Sequence, residues 1–469
     1  MKNIKGKKIL IIGLGVSGFA AALLAKKKKA RVFVSDESKN KAAKDKAGIL
    51  RKKDIFVELG GHSASFFERA DLVIISPGVK NNAQPLIWAK DNNVPIISEI
   101  EFASWFCAVP IVAITGTNGK TTVTTLIGKV FKDAGKRVAV CGNIGNSFSK
   151  VMLHPKNADV VVLEVSSFQL QYTQNFRPKV SIILNVSRNH LDHHATMDEY
   201  FEAKAKIVSN QKADDFAILN FDDPKVRRLS KKTQAKIFFF GKNKKDYAVY
   251  RNVYGACWLE DRTITGEWKN KTIKFLSQEQ LKLKGMHNLE NVMAVILAAK
   301  AQSISNDNLI KTLKGFKGLH HRCQRITSIK SIDFFNDSKS TTVDATSKAL
   351  AMFSKKSVLL ICGGRDKGSD FRPLGKLVRD KVLLVILIGE AAKKINQAWI
   401  GHVLIKVVPT LKAAVRLAYS RAKKGNSVLL SPMCASFDMF KSYKHRGEVF
   451  VKEVKSLKLQ VSSHKQKQK

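Results

Sequence analysis

Residues 111–122 read IVAITGTNGKTT. An apolar run over 111–114 leads straight into Gly116-Thr117-Asn118-Gly119-Lys120-Thr121-Thr122, and a helical pattern follows over 123–134. Strand, glycine-bearing turn and helix in that order point to an α/β layer fold with the turn at the carboxyl edge of a parallel sheet. The glycines let the backbone wrap an anion, while the turn N–H groups and the helix N-terminus point at it. Lys120 is then a point charge for β- and γ-phosphates, and Thr121 offers a hydroxyl to Mg²⁺. The full phosphate-loop motif has a further glycine where Ile114 stands, so this is a shortened loop. The bland alternative is an ordinary glycine turn. The expectation is a bound nucleoside triphosphate and phosphoryl-transfer chemistry.

A second glycine loop precedes it. A buried strand pattern over 8–12 runs into Gly13-Leu14-Gly15-Val16-Ser17-Gly18, then an Ala/Leu-rich helix to about residue 25 and a strand over 31–35 ending at Asp36. An acidic residue about 20 positions beyond the glycines suits a ribose, so the segment alone reads as NAD-binding. The motif itself fixes only a tight turn and a helix N-terminus near a diphosphate, which other nucleotide diphosphates satisfy. A further strand over 72–76 leads into Ser76-Pro77-Gly78-Val79. Lys2, Lys5, Lys7 and Lys8 ahead of this apolar stretch imitate a signal peptide, but three glycines at nucleotide-fold spacing interrupt it. No other stretch reaches membrane-spanning length without charge.

Further strand ends carry polar clusters. A strand over 137–141 ends in Gly142-Asn143-Ile144-Gly145, and one over 159–163 ends at Glu164, followed by Ser166-Ser167-Phe168-Gln169. A strand over 180–186 precedes Asn189-His190-Leu191-Asp192-His193-His194. Glu164 and His190 fall on the edge that holds the phosphate loop and are candidate Mg²⁺ ligands, His being a minor ligand type for that ion; a surface carboxylate and a polar turn are the alternatives. Beyond residue 317, a strand pair closes at Asn336-Asp337-Ser338-Lys339-Ser340-Thr341, and strands over 357–362, 382–388 and 427–430 alternate with helical stretches such as 411–423. This is a third α/β layer structure. Lys, Arg, Ser and Thr at its strand ends suit a substrate carboxylate.

At 469 residues the chain holds two to four domains. Its net charge of +44 invites a nucleic-acid reading. However, no aromatic-interleaved basic platform, zinc motif or recognition helix supports it, and the lysines are spread along the whole chain. Six cysteines without paired spacing fit a reducing compartment rather than a disulfide or metal framework. The tail over 462–469 is polar and is expected to lack structure.

GTNGKTT, the Glu164 strand end with SSFQL, NHLDHH, YFEAKAK and GMHNLEN, in this order, resemble the Mur ligase family over about residues 8–455. These are ATP-dependent amide-bond ligases of cytoplasmic peptidoglycan precursor synthesis. GGRDKGSDF and LSPMCASFDMFKSYKHRG resemble the branch that adds D-glutamate to UDP-N-acetylmuramoyl-L-alanine. The resemblance implies three α/β domains: a Rossmann-like UDP-binding domain over 1–99, a central ATP-binding P-loop domain with a mostly parallel sheet over 100–317, and a Rossmann-like amino-acid-binding domain over 318–469. It implies ATP, two Mg²⁺ ions, and CO₂ to carbamylate Lys204, with Thr121, Glu164, His190 and the Lys204 carbamate as metal ligands. Lys120, Glu164, His190 and Lys204 become the catalytic set. Gly116 to Thr122, Asn288, Asn291, Arg322 and Asp337 match ATP contacts. Gly15, Val16, Ser17, Gly18, Asp36, Ser76, Pro77, Gly78, Asn143 and Gln169 match contacts to the nucleotide substrate. Thr341, Lys367, Ser436 and Tyr443 match the D-glutamate site, although the aromatic at 443 is often Phe. The implied protein is a monomer without a nucleic-acid partner or membrane span. Three alternatives stand beside this reading: another amino-acid-adding branch, an NAD-dependent oxidoreductase with an ATPase domain, and a basic nucleotide-binding module without turnover.

Overall fold

The computed structural model describes residues 3–466, apart from 81, 188–193, 195, 246, 248–249, 269–270, 284 and 367. They form two compact units, Met1–Lys282 with Asn288–Phe316, and Leu283–His287 with Lys317–Lys469.

The first unit contains two sheets. One comprises β1 (Lys8–Ile12), β2 (Arg31–Asp36), β3 (Phe56–Leu59), β4 (Leu72–Ile75) and β5 (Ile96–Ser98) in the order β3-β2-β1-β4-β5. All its pairs are parallel. Parallel strands are covered on both faces, which is why they read as unbroken apolar runs. Ile9 and Ile11 pack with Ala21, Leu24 and Ala25 on one face, while Leu10 and Ile12 pack with Phe67, Leu86 and Ala89 on the other. The strand order reverses direction between β1 and β4, so the crevice beyond their carboxyl ends is the topological switch point. The loop over 13–18 and the turn over 76–78 flank it.

The second sheet comprises β6 (Ile111–Thr115), β7 (Val138–Gly142), β8 (Val160–Glu164), β9 (Val180–Ile183), β10 (Phe216–Asn220), β11 (Lys236–Phe240), β12 (Val253–Glu260), β13 (Thr263–Trp268) and β14 (Lys271–Ser277). Their order is β14-β13-β12-β11-β10-β9-β6-β8-β7. It is parallel from β12 to β7, with β13 and β14 added antiparallel. The strand expected over 180–186 stops at Ile183, because after Leu184, whose N–H still donates to Thr115 O, the residues from Asn185 on bond elsewhere. Thr117 N–H donates to Asn185 O at 2.8 Å, and Val186 N–H donates to Asp223 Oδ2 at 2.7 Å.

The second unit holds β15 (Gln324–Ile329), β16 (Ile332–Asn336), β17 (Val358–Gly363), β18 (Val382–Ile388), β19 (Leu404–Val407) and β20 (Ser427–Leu430), in the order β15-β16-β20-β17-β18-β19. Only the β15–β16 pair is antiparallel. The helix Tyr443–Gln466 runs into the tail expected to lack structure, and residues 467–469 of that tail lie outside the described residues. Phe450 and Val454 are buried against the sheet, and Leu457 and Val461 pack beside them. This anchors the helix to within about one turn of its end, and propagation of a formed helix is easy compared with nucleation.

No helix among the described residues is long and apolar enough to cross a membrane.

Candidate active site

The phosphate loop follows β6, whose neighbours are β9 and β8. Gly116 and Gly119 have φ of +149° and +88°, conformations costly for any residue with a Cβ. The space is also taken: a Cβ on Gly119 would lie 2.4 Å from Asn291 Oδ1. This places Asn291, from the helix Met286–Ala301, directly against the loop. Asn291 Nδ2 donates to Asn288 Oδ1 at 3.3 Å. Lys120 and Thr121 open the helix Lys120–Asp133. Lys120 Nζ donates to Gly116 O at 2.8 Å and Thr117 O at 3.1 Å.

Lys204 reaches the same loop from the helix Met197–Ser209. Its side chain is buried, and Nζ lies 3.2 Å from Gly116 O, 3.5 Å from Thr115 Oγ1 and 4.6 Å from the centroid of the Tyr200 ring. Burial, reinforced by the Lys120 charge, holds its pKa well below the ordinary lysine value, and Glu164 opposes this.

Glu164 ends β8 and is buried. Its Oε1 accepts from Asn143 Nδ2 at 2.8 Å, and Asn143 N–H donates to Glu164 O at 2.9 Å. Glu164 Oε2 is buried without a hydrogen-bond partner among the described residues. An orphaned carboxylate oxygen beside a phosphate loop fits a hard cation, which takes oxygen ligands. His190 lies outside the described residues.

Sequence reasoning missed Asn185 and the Tyr200 hydroxyl. Asn185 Oδ1 accepts from Asn118 N–H at 2.9 Å, and Asn185 Nδ2 returns a bond to Asn118 O at 3.2 Å. Thr117 Oγ1 accepts from Ser187 N–H at 2.9 Å and lies 3.2 Å from the Tyr200 hydroxyl. A polar residue directly after the apolar run Ile182-Ile183-Leu184 was the available signal for Asn185.

At the first sheet, Gly18 packs against the loop it follows: a Cβ there would fall 1.8 Å from Gly13 O. Ser76 Oγ donates to Gly13 O at 2.9 Å, tying the two sides of the crevice together. Gly15, Val16 and Gly78 are exposed, and Ser17 and Pro77 are half-buried. Both Asp36 carboxylate oxygens take main-chain donors, Oδ2 from Leu14 N–H and Oδ1 from Ser38 N–H. Asp36 therefore shapes the loop before it meets any ligand. Lys46, which sequence reasoning did not single out, donates to Leu14 O at 3.0 Å and brings a cation to the same loop. Gln169 is buried, and its Oε1 completes a capping box with Ser166.

In the second unit, three loops leave the carboxyl ends of β16, β20 and β17. Asp337 is buried and takes bonds from Cys323 N–H at 3.0 Å and Ser431 Oγ at 2.8 Å, with burial pushing its pKa up to about 6. Arg322 contributes a charge that opposes this rise. Ser436 is buried and Thr341 half-buried, and Ser338 Oγ donates to Tyr443 O at 2.8 Å. Lys367 lies outside the described residues.

Three family models match the chain: the MurD-like N-terminal domain of Mur ligases over 7–98, the Mur ligase middle domain over 114–299, and the glutamate ligase domain of Mur ligases over 321–434. The UDP-N-acetylmuramoylalanine–D-glutamate ligase of Thermoanaerobacter pseudethanolicus is 38% identical over 460 residues, covering 97% of this chain and 100% of that protein. The chain belongs to the Mur ligase family. A Geobacter protein of the same description is 40% identical to this Mur ligase, with 97% and 98% of the two chains covered. Among solved structures, the MurF ligase of Thermotoga maritima in complex with ADP matches at a TM-score of 0.61 and 18% identity, covering 97% of this Mur ligase and 100% of that chain. The UDP-N-acetylmuramate-alanine ligase MurC of the same organism matches at a TM-score of 0.58 and 21% identity, covering 96% and 100%. These structures share the fold of this Mur ligase.

Proposed function

We propose that this Mur ligase joins D-glutamate to UDP-N-acetylmuramoyl-L-alanine in the cytoplasm as a monomer, converting ATP to ADP and phosphate. The observation that carries the reading is the convergence of Lys120 and Lys204 on Gly116 O within the phosphate loop, in a chain that covers the full length of D-glutamate ligase relatives. We assign residues 1–99 to the nucleotide substrate, 100–317 to ATP and 318–469 to the amino acid.

An amide from a carboxylate and an amine needs an activated acyl group. The L-alanine carboxylate attacks the γ-phosphorus, forming an O–P bond as the bond to ADP breaks. The D-glutamate nitrogen then attacks the acyl carbon, the C–N bond forms, phosphate leaves with the acyl C–O electrons, and the nitrogen loses a proton. The protein positions the reactants and neutralises charge. Lys120 and the loop N–H groups hold the triphosphate, with Asn288 and Asn291 beside them. The assignment of Arg322 and Asp337 to ATP rests on the resemblance. Residues 15–18, Asp36 and 76–78 receive the uridine diphosphate, Asn143 and Gln169 the muramoyl portion, and Thr341, Lys367, Ser436 and Tyr443 the D-glutamate.

Thr121, Glu164, His190 and a carbamate on Lys204 would hold two Mg²⁺ ions, which neutralise phosphate charge when bound. Carbamylation needs a neutral amine: the nitrogen attacks CO₂ and gives up a proton. The lowered pKa of buried Lys204 supports that step.

Phosphate release from ATP, with the nucleotide substrate present and D-glutamate added or withheld, tests the reading. Release that requires both, favours D- over L-glutamate and disappears in Lys120→Ala is expected. Release triggered by a different amino acid would move the chain to another branch. A folded, ATP-binding chain without release would overturn the enzymatic reading.

A further inference from the structure

Arg446 lies wholly buried on the helix Tyr443–Gln466. A guanidinium presents five N–H donors in a rigid fork, and burial demands that they be paired. Nε donates to Ser338 Oγ at 3.0 Å. Nη2 donates to Ser338 O at 2.9 Å and Cys434 O at 3.1 Å. Nη1 donates to Cys434 O at 3.2 Å and Ala435 O at 3.3 Å. Each acceptor is a main-chain carbonyl or a hydroxyl, and the Asp438 carboxylate acts on the charge only through space.

These acceptors belong to two loops, one leaving β16 and the other leaving β20. A third loop joins through Ala435, which exchanges two main-chain hydrogen bonds with Arg365, each 3.0 Å. Close approach at this point needs glycine: a Cβ on Gly364 would lie 2.3 Å from Ala435 O and 3.2 Å from Arg446 Nη1. The three loops carry Thr341, Ser436 and, in sequence, Lys367. Burial lowers the Arg446 pKa only to about 10, so the group is charged at neutral pH.

We propose that Arg446 is the positioning residue of the amino-acid pocket, its guanidinium setting the Ser338 loop against the loop at 434–435 and its charge biasing the pocket toward an amino acid with an acidic side chain. This rests on the D-glutamate reading above. A lysine at 446 keeps the charge but loses the fork, and Ser338→Ala removes one acceptor while leaving the arginine in place.

The test is steady-state kinetics of the full chain, wild type, Arg446→Lys and Ser338→Ala, with thermal unfolding of each. In Arg446→Lys the KM for D-glutamate is expected to rise about tenfold or more, while the KM values for ATP and the nucleotide substrate stay within about twofold. Ser338→Ala is expected to shift the same constant in the same direction by less, and both variants, which keep the cation, to retain the preference for D-glutamate over D-glutamine. An unchanged KM for D-glutamate, or three KM values rising together with lost stability, would overturn the proposal. If Arg446→Lys does not fold, Ser338→Ala decides between these outcomes. Absence of D-glutamate-dependent turnover in the wild type would instead overturn the functional reading, and the proposal with it.

Discussion

Lys204 Nζ donates to Gly116 O at 3.2 Å across 88 positions of sequence. Lys120 Nζ donates to the same oxygen at 2.8 Å. Two lysines on one carbonyl, one of them buried, make Lys204 easier to deprotonate than a lysine in water, since burial and a like charge both disfavour its charged form.

The neutral amine is the form that adds CO₂. Depleting CO₂ from the assay is therefore expected to lower the rate, and bicarbonate to restore it. Labelled bicarbonate should give a carbamate carbon signal in the wild type that is absent in Lys204→Arg. A rate indifferent to CO₂, with no such signal, would remove the carbamate from the mechanism.

The phosphate loop depends on Asn185, which bonds both the N–H and the carbonyl of Asn118. Asn185→Ala loses both bonds, at a cost of about 1–3 kcal/mol in unfolding free energy. The KM for ATP is expected to rise about tenfold because the loop is no longer held in shape. Urea titration and ATP-dependent kinetics check the two parts separately.

Gly119 combines a φ of +88° with a Cβ position 2.4 Å from Asn291 Oδ1. Gly119→Ala is expected to be strained by about 1–3 kcal/mol and to displace Asn291. Calorimetric titration should show ATP binding weakened at least tenfold, with the far-ultraviolet dichroism retained. Wild-type affinity in that variant would show that the loop tolerates a side chain there.

Glu99 gives a pH dependence that is independent of the chemistry. It is fully buried, and Oε1 accepts from Ser149 N–H at 2.5 Å. Burial pushes its pKa up to about 7 from 4.5. The folded state therefore binds the proton more tightly than the unfolded state. Its contribution is present in full below pH 4.5 and is lost as pH rises through 7. Glu99→Gln keeps the acceptor oxygen without the ionisation. It is expected to stabilise the protein at pH 8 by on the order of 3 kcal/mol and to change little at pH 5. Denaturation at the two pH values checks this, and equal effects at both would show that ionisation at Glu99 is not coupled to folding.

Much of the loop geometry was legible because it is local. Residues 13–18 and 116–122 are each one strand–turn–helix unit, so the anion-facing N–H groups follow from backbone geometry within a few residues. Glu164 was legible for a related reason, standing at the end of an unbroken apolar run. Asp36 shows what local reading leaves out, because its oxygens also take the N–H groups of Leu14 and Ser38 and so shape the glycine loop. The 180–186 strand ended early for a similar cause: Asn185 bonds the phosphate loop and Val186 bonds Asp223, partners invisible to hydrophobic pattern.

By itself the sequence determined the three α/β layers and the loops at their strand ends, because strand burial, glycine φ and helix N-termini are properties of contiguous residues. Only the tertiary structure decided that Lys204, an unremarkable lysine in a helical stretch, is buried against Gly116, that Asn185 braces Asn118, and that Arg446 joins Ser338 to Cys434 and Ala435. Those partners are brought together by sheet order, and the burial that alters their protonation or demands their pairing exists only once the layers have closed.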